Sequence, residues 1–197
     1  MIVVLIISVA ARVFAKFGAN VWLAGRDLKK TKDVADSIAT NIADASLVHT
    51  LELDLSSLSS VRKAASNFLS IGIPLHVLLN NAGCMAIEDK TISVDGFEMQ
   101  FATNHLGHFL FTNLLIPALL KAAPSRVVSV SSMAHFRSGI LFDDPNFKKT
   151  PYDAVLLTNL VIYINHYFMI SGKHMDNQKQ QIFFTPLNYR RDIPHQV

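Results

Sequence analysis

The 197-residue sequence predicts an α/β fold built on a doubly wound parallel sheet. Two patterns carry that reading. Short apolar or alternating runs take turns with longer stretches whose apolar residues recur at helical spacing. Such alternation implies right-handed crossovers between parallel strands. Polar groups then recur directly after the strand-like runs, at Arg26, Asp54, Asn80 to Gly83 and Ser131 to Ser132. Open α/β sheets bind ligands at that place, beyond the carboxyl ends of their strands.

The first run, Met1 to Ala11 (MIVVLIISVAA), is apolar throughout. Its β-branched residues permit a strand, but it continues into helical sequence with no turn residue between. Ile2 to Ser8 is therefore expected to be helical. Ala11 to Phe17 has helical character, and Gly18 suits a left-handed helix stop. Val21 to Ala24 reads as a strand and Gly25-Arg26-Asp27 as a turn. Asp27 then caps a helix over Leu28 to Ile42, with Val34, Ala35 and Ile38 on one face.

Ser46 to Leu53 places Leu47, His49, Leu51 and Leu53 at period two, a strand pattern. Ser56 or Ser57 caps the next helix, in which Leu58, Val61, Ala65 and Phe68 share a face until Gly72 to Pro74 ends it. Leu75 to Leu79 and Arg126 to Val130 are almost wholly apolar and suit strands buried on both faces. Between them, Gly96 to Ala122 reads as one long helix kinked near Pro117. After about Ala154 the alternation stops. The division expected is residues 1–154 as the folded domain and 155–197 as a divergent apolar segment with a polar tail. That tail, from Lys173, is a candidate for disorder.

Composition narrows the function classes. Hydrophobic residues make up 50% and charged residues 17%, which excludes an intrinsically disordered chain and fits one domain with a sizeable core. The single cysteine, Cys84, excludes a disulfide scaffold and a cysteine-based zinc site, and makes a reducing, cytoplasmic setting the default. A net charge of +3 without an arginine-rich run interleaved with aromatics gives no pointer to nucleic acid. Met1 to Ala11 is too short to span a bilayer, and the uncharged stretch Ala154 to Gly172 carries Thr158, Asn159, Asn165 and His166, costly in lipid. Membrane association is a weak alternative.

The strand-end residues have specific chemical uses. A guanidinium at Arg26 suits the 2′-phosphate of NADP, where an acidic residue would accept from a ribose hydroxyl; a solvated strand-end arginine is the other reading. Asp54 can accept from an adenine amino group or help start the next helix. Asn81-Ala82-Gly83 offers small side chains and exposed backbone to a ribose or nicotinamide, as a plain turn also would. Ser132 is placed to polarise a carbonyl. Asn104, inside an apolar helix, must be hydrogen-bonded, either to a relay water or to a helix irregularity. His105 and His108 lack metal-ligand spacing with a third ligand, read as ordinary helix residues, and no metal site is expected.

These motifs together resemble a known family. NNAG at Asn80 to Gly83, FATNHLGHFLFTNLL at Phe101 to Leu115 and RVVSVSSMAHFRSGILFDD at Arg126 to Asp144 resemble the short-chain dehydrogenase/reductases, and more narrowly their retinol dehydrogenase and WW-domain oxidoreductase-like branch. The resemblance spans about Ala11 to Ala154. It implies a Rossmann-type domain that uses NADP(H) to interconvert small-molecule alcohols and carbonyls. It also implies that Ser132 contacts the substrate oxygen, that Asn104 supports a proton relay, and that Arg26, Asp54, Asn81, Ala82 and Gly83 contact the cofactor.

Two departures bear on activity. The family's TGxxxGxG turn should precede Ala11, but Met1 to Ala10 contains no glycine. The family's YxxxK is also missing: Tyr152, Tyr163, Tyr167 and Tyr189 are followed at the fourth position by Leu156, Tyr167, Ser171 and Ile193. The expected sheet is thus incomplete, truncated of the first strand with its glycine turn and of the strands after YxxxK. The expected function is that of an NADP-dependent oxidoreductase with impaired catalysis. The alternatives are a non-catalytic remnant and a membrane- or partner-binding fragment.

Overall fold

The computed structural model describes residues 2–5, 8–131, 143–154 and 181–186. Its centre is a six-stranded parallel sheet of order β3-β2-β1-β4-β5-β6. The strands are β1 (Ile2–Leu5), β2 (Val21–Gly25), β3 (Val48–Glu52), β4 (Val77–Asn80), β5 (Arg126–Ser131) and β6 (Gln181–Pro186). The chain steps outward from β1 to β3, then crosses back to β4 on the other side of β1. That reversal opens a crevice at the carboxyl ends of the central strands.

Helices cover both faces, and the alternation of side chains along each strand explains why. Val21 and Leu23 of β2 pack with Ala11 and Ala15 of α1 (Ser8–Lys16) and Ala35 and Ile38 of α2 (Leu28–Ala39). Trp22 and Ala24 point the other way, toward Val61 and Phe68 of α3 (Leu58–Ser70) and toward Phe111 and Leu115. Both faces of the strand are covered, so its sequence is apolar at successive positions rather than at every second one. Local signals set the helix starts: Asp27 Oδ1 accepts from the Lys30 N–H at 3.0 Å, and Ser57 Oγ accepts from the Ser60 N–H at 3.4 Å.

Three expectations from the sequence are corrected. Ile2–Leu5 is the central strand, not helix; the helix begins only at Ser8. Ile2 pairs with both Val21 and Val77. Without β1, facing edges of β2 and β4 would be left with unpaired backbone groups, a cost that outweighs helical continuity. Second, Gln181–Pro186, within the segment read as tail, is a strand in parallel register with β5. Strands thus occupy the slot between β2 and β4 and one position beyond β5, while the glycine turn is absent from the sequence and the fold stays incomplete. Residues 155–180 and 187–197 lie outside the described residues, as does all of Ala154 to Gly172 except Ala154.

Third, the long helix is segmented. It begins at α4 (Met99–Phe101), passes through a π-helical turn over Ala102–Leu106, and continues as α5 (Gly107–Leu114). A separate α6 (Ile116–Lys121) follows, with Pro117 in its first turn. Among the described residues, no helix is long and apolar enough to cross a membrane.

Gly107 makes the closest approach between this helix and the sheet's connections. A Cβ there would sit 2.3 Å from the Leu55 carbonyl oxygen. Backbone cannot yield as a flexible side chain does, so the overpacking cost exceeds the propensity gained by replacing a helical glycine. Gly107→Ala is expected to destabilise the protein by about 2–3 kcal/mol, lowering Tm by roughly 5–10 °C in a thermal melt.

Candidate functional site

A cleft of about 330 Å³ opens beyond the carboxyl ends of β2, β3 and β4. Arg26 follows β2, Asp54 follows β3, and Ala82 and Gly83 follow β4; all four line it. Cys84, Ile87, Met99 and Thr103 complete its wall on the side of α4 and the π turn. The parallel topology thus brings together four residues spread over 58 positions of sequence, from Arg26 to Gly83. Asn81 is not among the lining residues, and Ser132 lies outside the described residues.

Asp54 has a local structural task as well. Its Oδ1 accepts from the Ser56 N–H at 2.9 Å and the Ser56 hydroxyl at 2.6 Å, which orders the turn into α3. The helix-starting use of this carboxylate is therefore filled within the chain. Cys84 is no activated nucleophile. Burial pushes its thiol up, and the nearby Glu98 carboxylate adds to that shift.

The segment after β4 is fixed by a ladder of polar side chains from the helix beside it. The Asn80 amide donates to Thr112 Oγ1 at 2.9 Å. His108 Nε2 lies 2.7 Å from the Ala82 carbonyl oxygen. Asn104 grips Cys84 at both ends: its Oδ1 accepts from the Cys84 N–H at 2.8 Å, and its Nδ2 donates to the Cys84 carbonyl at 2.7 Å. Gln100 Oε1 accepts from the Ala86 N–H at 3.1 Å. Steps of four along the helix thus match steps of two along the segment. The lengths agree, since four helical residues rise about 6 Å and two extended residues about 6.6 Å.

In a regular α-helix, residues four apart drift around the axis by about 40° per step. The π turn at Ala102–Leu106, with more residues per turn, drifts the other way and keeps the four side chains in line. Asn104 sits within this irregularity, one of the two placements its sequence context allowed. Gly83 is crowded from behind by the same residue; a Cβ would lie 3.1 Å from Asn104 Oδ1.

His108 is the functional candidate that the sequence reading passed over as an ordinary helix residue. It is buried, and its Nε2 must carry the proton because a carbonyl can only accept. Its Nδ1 is buried with no partner. Burial pushes its pKa down to about 4, against the smaller opposing effect of the Ala82 carbonyl. A signal existed in the sequence: Gln100, Asn104, His108 and Thr112 form a polar row at four-residue spacing in a mostly apolar helix.

Tyr152, in the stretch after which the family's YxxxK is expected, is held by structural contacts. Its hydroxyl lies 3.0 Å from the Ile87 carbonyl and 3.3 Å from Glu98 Oε1, both acceptors, and accepts from the Gln100 amide at 3.3 Å. Burial pushes its pKa above the ordinary value, the Glu98 carboxylate adds to this, and the Gln100 hydrogen bond only partly offsets it. Among the described residues, no group of His, Cys, Asp and Glu is arranged to hold a metal ion.

The depressed His108 pKa has a thermodynamic consequence. The unfolded chain takes up a proton near pH 6.5 while the folded chain resists until about pH 4. This contribution to stability is fully present above pH 6.5 and is lost as pH falls toward 4, amounting to about 3 kcal/mol. Urea unfolding at pH 7 and pH 4.5 should show that loss, and His108→Gln should make the difference between the two pH values visibly smaller.

Comparison with known proteins agrees with this geometry. The family model for short chain dehydrogenase matches residues 7–143. The chain is 42% identical over 140 residues to human retinol dehydrogenase 13, covering 71% of this chain and 42% of that protein. It is 47% identical over 133 residues to human retinol dehydrogenase 11, covering 67% and 41%. With the chloroplastic short-chain dehydrogenase TIC 32 A of Brassica napus it shares 41% identity over 165 residues, covering 77% and 51%. The chain thus spans about half or less of the length of these relatives. An uncharacterized protein from Mycobacterium paratuberculosis superposes with a TM-score of 0.75 at 34% identity, covering 96% of this chain and 68% of that one. A metagenomic short-chain oxidoreductase solved in complex with NADP has the same fold, with a TM-score of 0.70 at 19% identity, covering 91% and 75%. With the doubly wound sheet, the strand-end cleft and a family match over residues 7–143, the chain belongs to the short-chain dehydrogenase/reductase family and resembles its retinol dehydrogenase branch.

Proposed function

We propose that the cleft binds NADP(H) by its adenosine half, and that interconversion of alcohols and carbonyls by this chain is impaired. The observation that carries the first part is the convergence of Arg26, Asp54, Ala82 and Gly83 on one cleft. Arg26 would pair with the 2′-phosphate, since a guanidinium presents a charged fork that matches phosphate oxygens. Asp54, which lines the same cleft, would accept from the adenine amino group. Ala82 and Gly83 leave room for close approach of a ribose, and Asn104 behind Gly83 keeps that backbone in place. The fit is to one end of the group only. A glycine cradle at the start of the first helix is absent from the sequence around Ser8, so binding of the pyrophosphate is weakened.

When bound, the nicotinamide supplies or accepts the hydride. The chain must then hold a substrate oxygen and move a proton to or from it. Ser132 is the proposed hydroxyl for the first task. For the second, the chain offers no tyrosine with a lysine four residues on, and the Tyr152 hydroxyl is held among Ile87, Glu98 and Gln100 with a raised pKa. A general acid–base needs a pKa near the working pH and reach to the reacting oxygen. Loss of that group forfeits about 10²–10⁴-fold in rate.

Calorimetry tests the binding half. NADP⁺ should bind measurably more tightly than NAD⁺, and Arg26→Ala should cost NADP⁺ about tenfold while leaving NAD⁺ unchanged, which erases the preference. Tight NAD⁺ binding insensitive to Arg26→Ala would refute it.

The catalytic half is read from NADPH absorbance with a panel of aliphatic and aromatic aldehydes and ketones. The expected rate is indistinguishable from background, and Ser132→Ala should not alter it. Turnover that Ser132→Ala abolishes would establish an active enzyme with another proton donor.

A further inference from the structure

We propose that His108 is a positioning residue for the cleft: as one rung of the polar ladder it holds the Ala82 carbonyl against the helix and thereby sets the direction of the Gly83 N–H. The inference deepens the NADP(H) reading and rests on it for the identity of the ligand. Ala82 and Gly83 share one planar trans peptide, so the Gly83 N–H points opposite to the Ala82 carbonyl. Pinning the carbonyl toward His108 aims that N–H away from the helix. The rungs on either side, Asn80 to Thr112 and Cys84 to Asn104, hold the segment's two ends. Between them, His108 is the rung that fixes the Ala82 carbonyl, in the peptide shared by two residues that line the cleft.

The side chain chosen is suited to the task. The site is fully buried, so a lysine or arginine would bring an unpaired charge inside. A leucine would leave the Ala82 carbonyl buried without a donor. A neutral imidazole protonated at Nε2 supplies one donor and no charge. The Nδ1, buried without a hydrogen-bond partner among the described residues, is its cost.

His108→Leu and His108→Gln separate positioning from packing, because the glutamine amide restores a donor at similar reach and leucine does not. Backbone amide exchange in the free protein is read first, at Cys84 and Ala86, with Val21–Gly25 as the internal reference. His108→Leu should accelerate exchange at Cys84 and Ala86 by about tenfold with the reference strand unchanged, and His108→Gln should restore it. NADP⁺ affinity by calorimetry should follow the same order, about tenfold weaker in the leucine variant and within about threefold of wild type in the glutamine variant.

Unchanged exchange in the leucine variant, or no recovery with glutamine, overturns the proposal. If wild-type protein binds no NADP⁺ while the exchange pattern appears, the cofactor reading fails and the positioning of the turn stands. Should the leucine variant not fold, the wild-type imidazole gives the answer by nitrogen NMR. An Nε2–H tautomer that persists from pH 8 to pH 5 supports the role, and an Nδ1–H tautomer or a titration near pH 6.5 refutes it.

Discussion

The cleft owes its shape to a match of two lengths: four residues of helix rise about as far as two residues of extended chain. Because of that match, Gln100, Asn104, His108 and Thr112 can each meet a residue of the segment from Asn80 to Ala86. Five hydrogen bonds result, each worth about 1 kcal/mol net. The segment needs them because it has left the sheet. Strand β4 ends at Asn80, yet Ala82 beyond it still packs against the core. The helix replaces the missing strand with side chains.

The same helix links the ladder to the other half of the cleft. At Gly107 it lies against the Leu55 backbone, directly after Asp54, so the walls formed by β3 and β4 are referenced to one rigid element. Its N-terminal end is anchored in turn. Glu98 caps it by accepting from the Phe101 N–H at 2.8 Å, and Asn146 accepts from the Glu98 N–H at 2.9 Å. Asp144 holds the turn that follows, accepting from the Lys148, Lys149 and Thr150 N–H groups. Burial opposes its ionisation, but those donors together with the Thr150 hydroxyl outweigh this and keep its carboxyl far below the ordinary range.

These anchors also explain the fate of Tyr152. In this chain the tyrosine that follows Pro151 is part of the brace, with its ring against Phe147 and its hydroxyl among Ile87, Glu98 and Gln100. Such an environment favours the neutral phenol, the reverse of what a proton-transfer catalyst at neutral pH requires. The polar ladder keeps the residues of the cleft in place, while the Tyr152 hydroxyl is committed to the brace.

Sequence by itself determined the alternation of strands and helices, the strands that the structure has at Val77–Asn80 and Arg126–Ser131, the Asp27 cap, and the placement of Arg26, Asp54, Ala82 and Gly83 after strands. All of these follow from local periodicity and capping chemistry, which nearest neighbours in the chain specify. Tertiary structure decided the rest. Ile2–Leu5 became a strand because the slot between β2 and β4 offered pairing on both edges, a reward that no local window contains. Gln181–Pro186 gained its place from β5, 50 residues or more earlier in the chain. The role of His108 depended on which carbonyl the fold set 2.7 Å away. A polar row at four-residue spacing was legible in the sequence, but its partners, spaced by two, acquire meaning only when a helix and an extended segment lie side by side with matched rise.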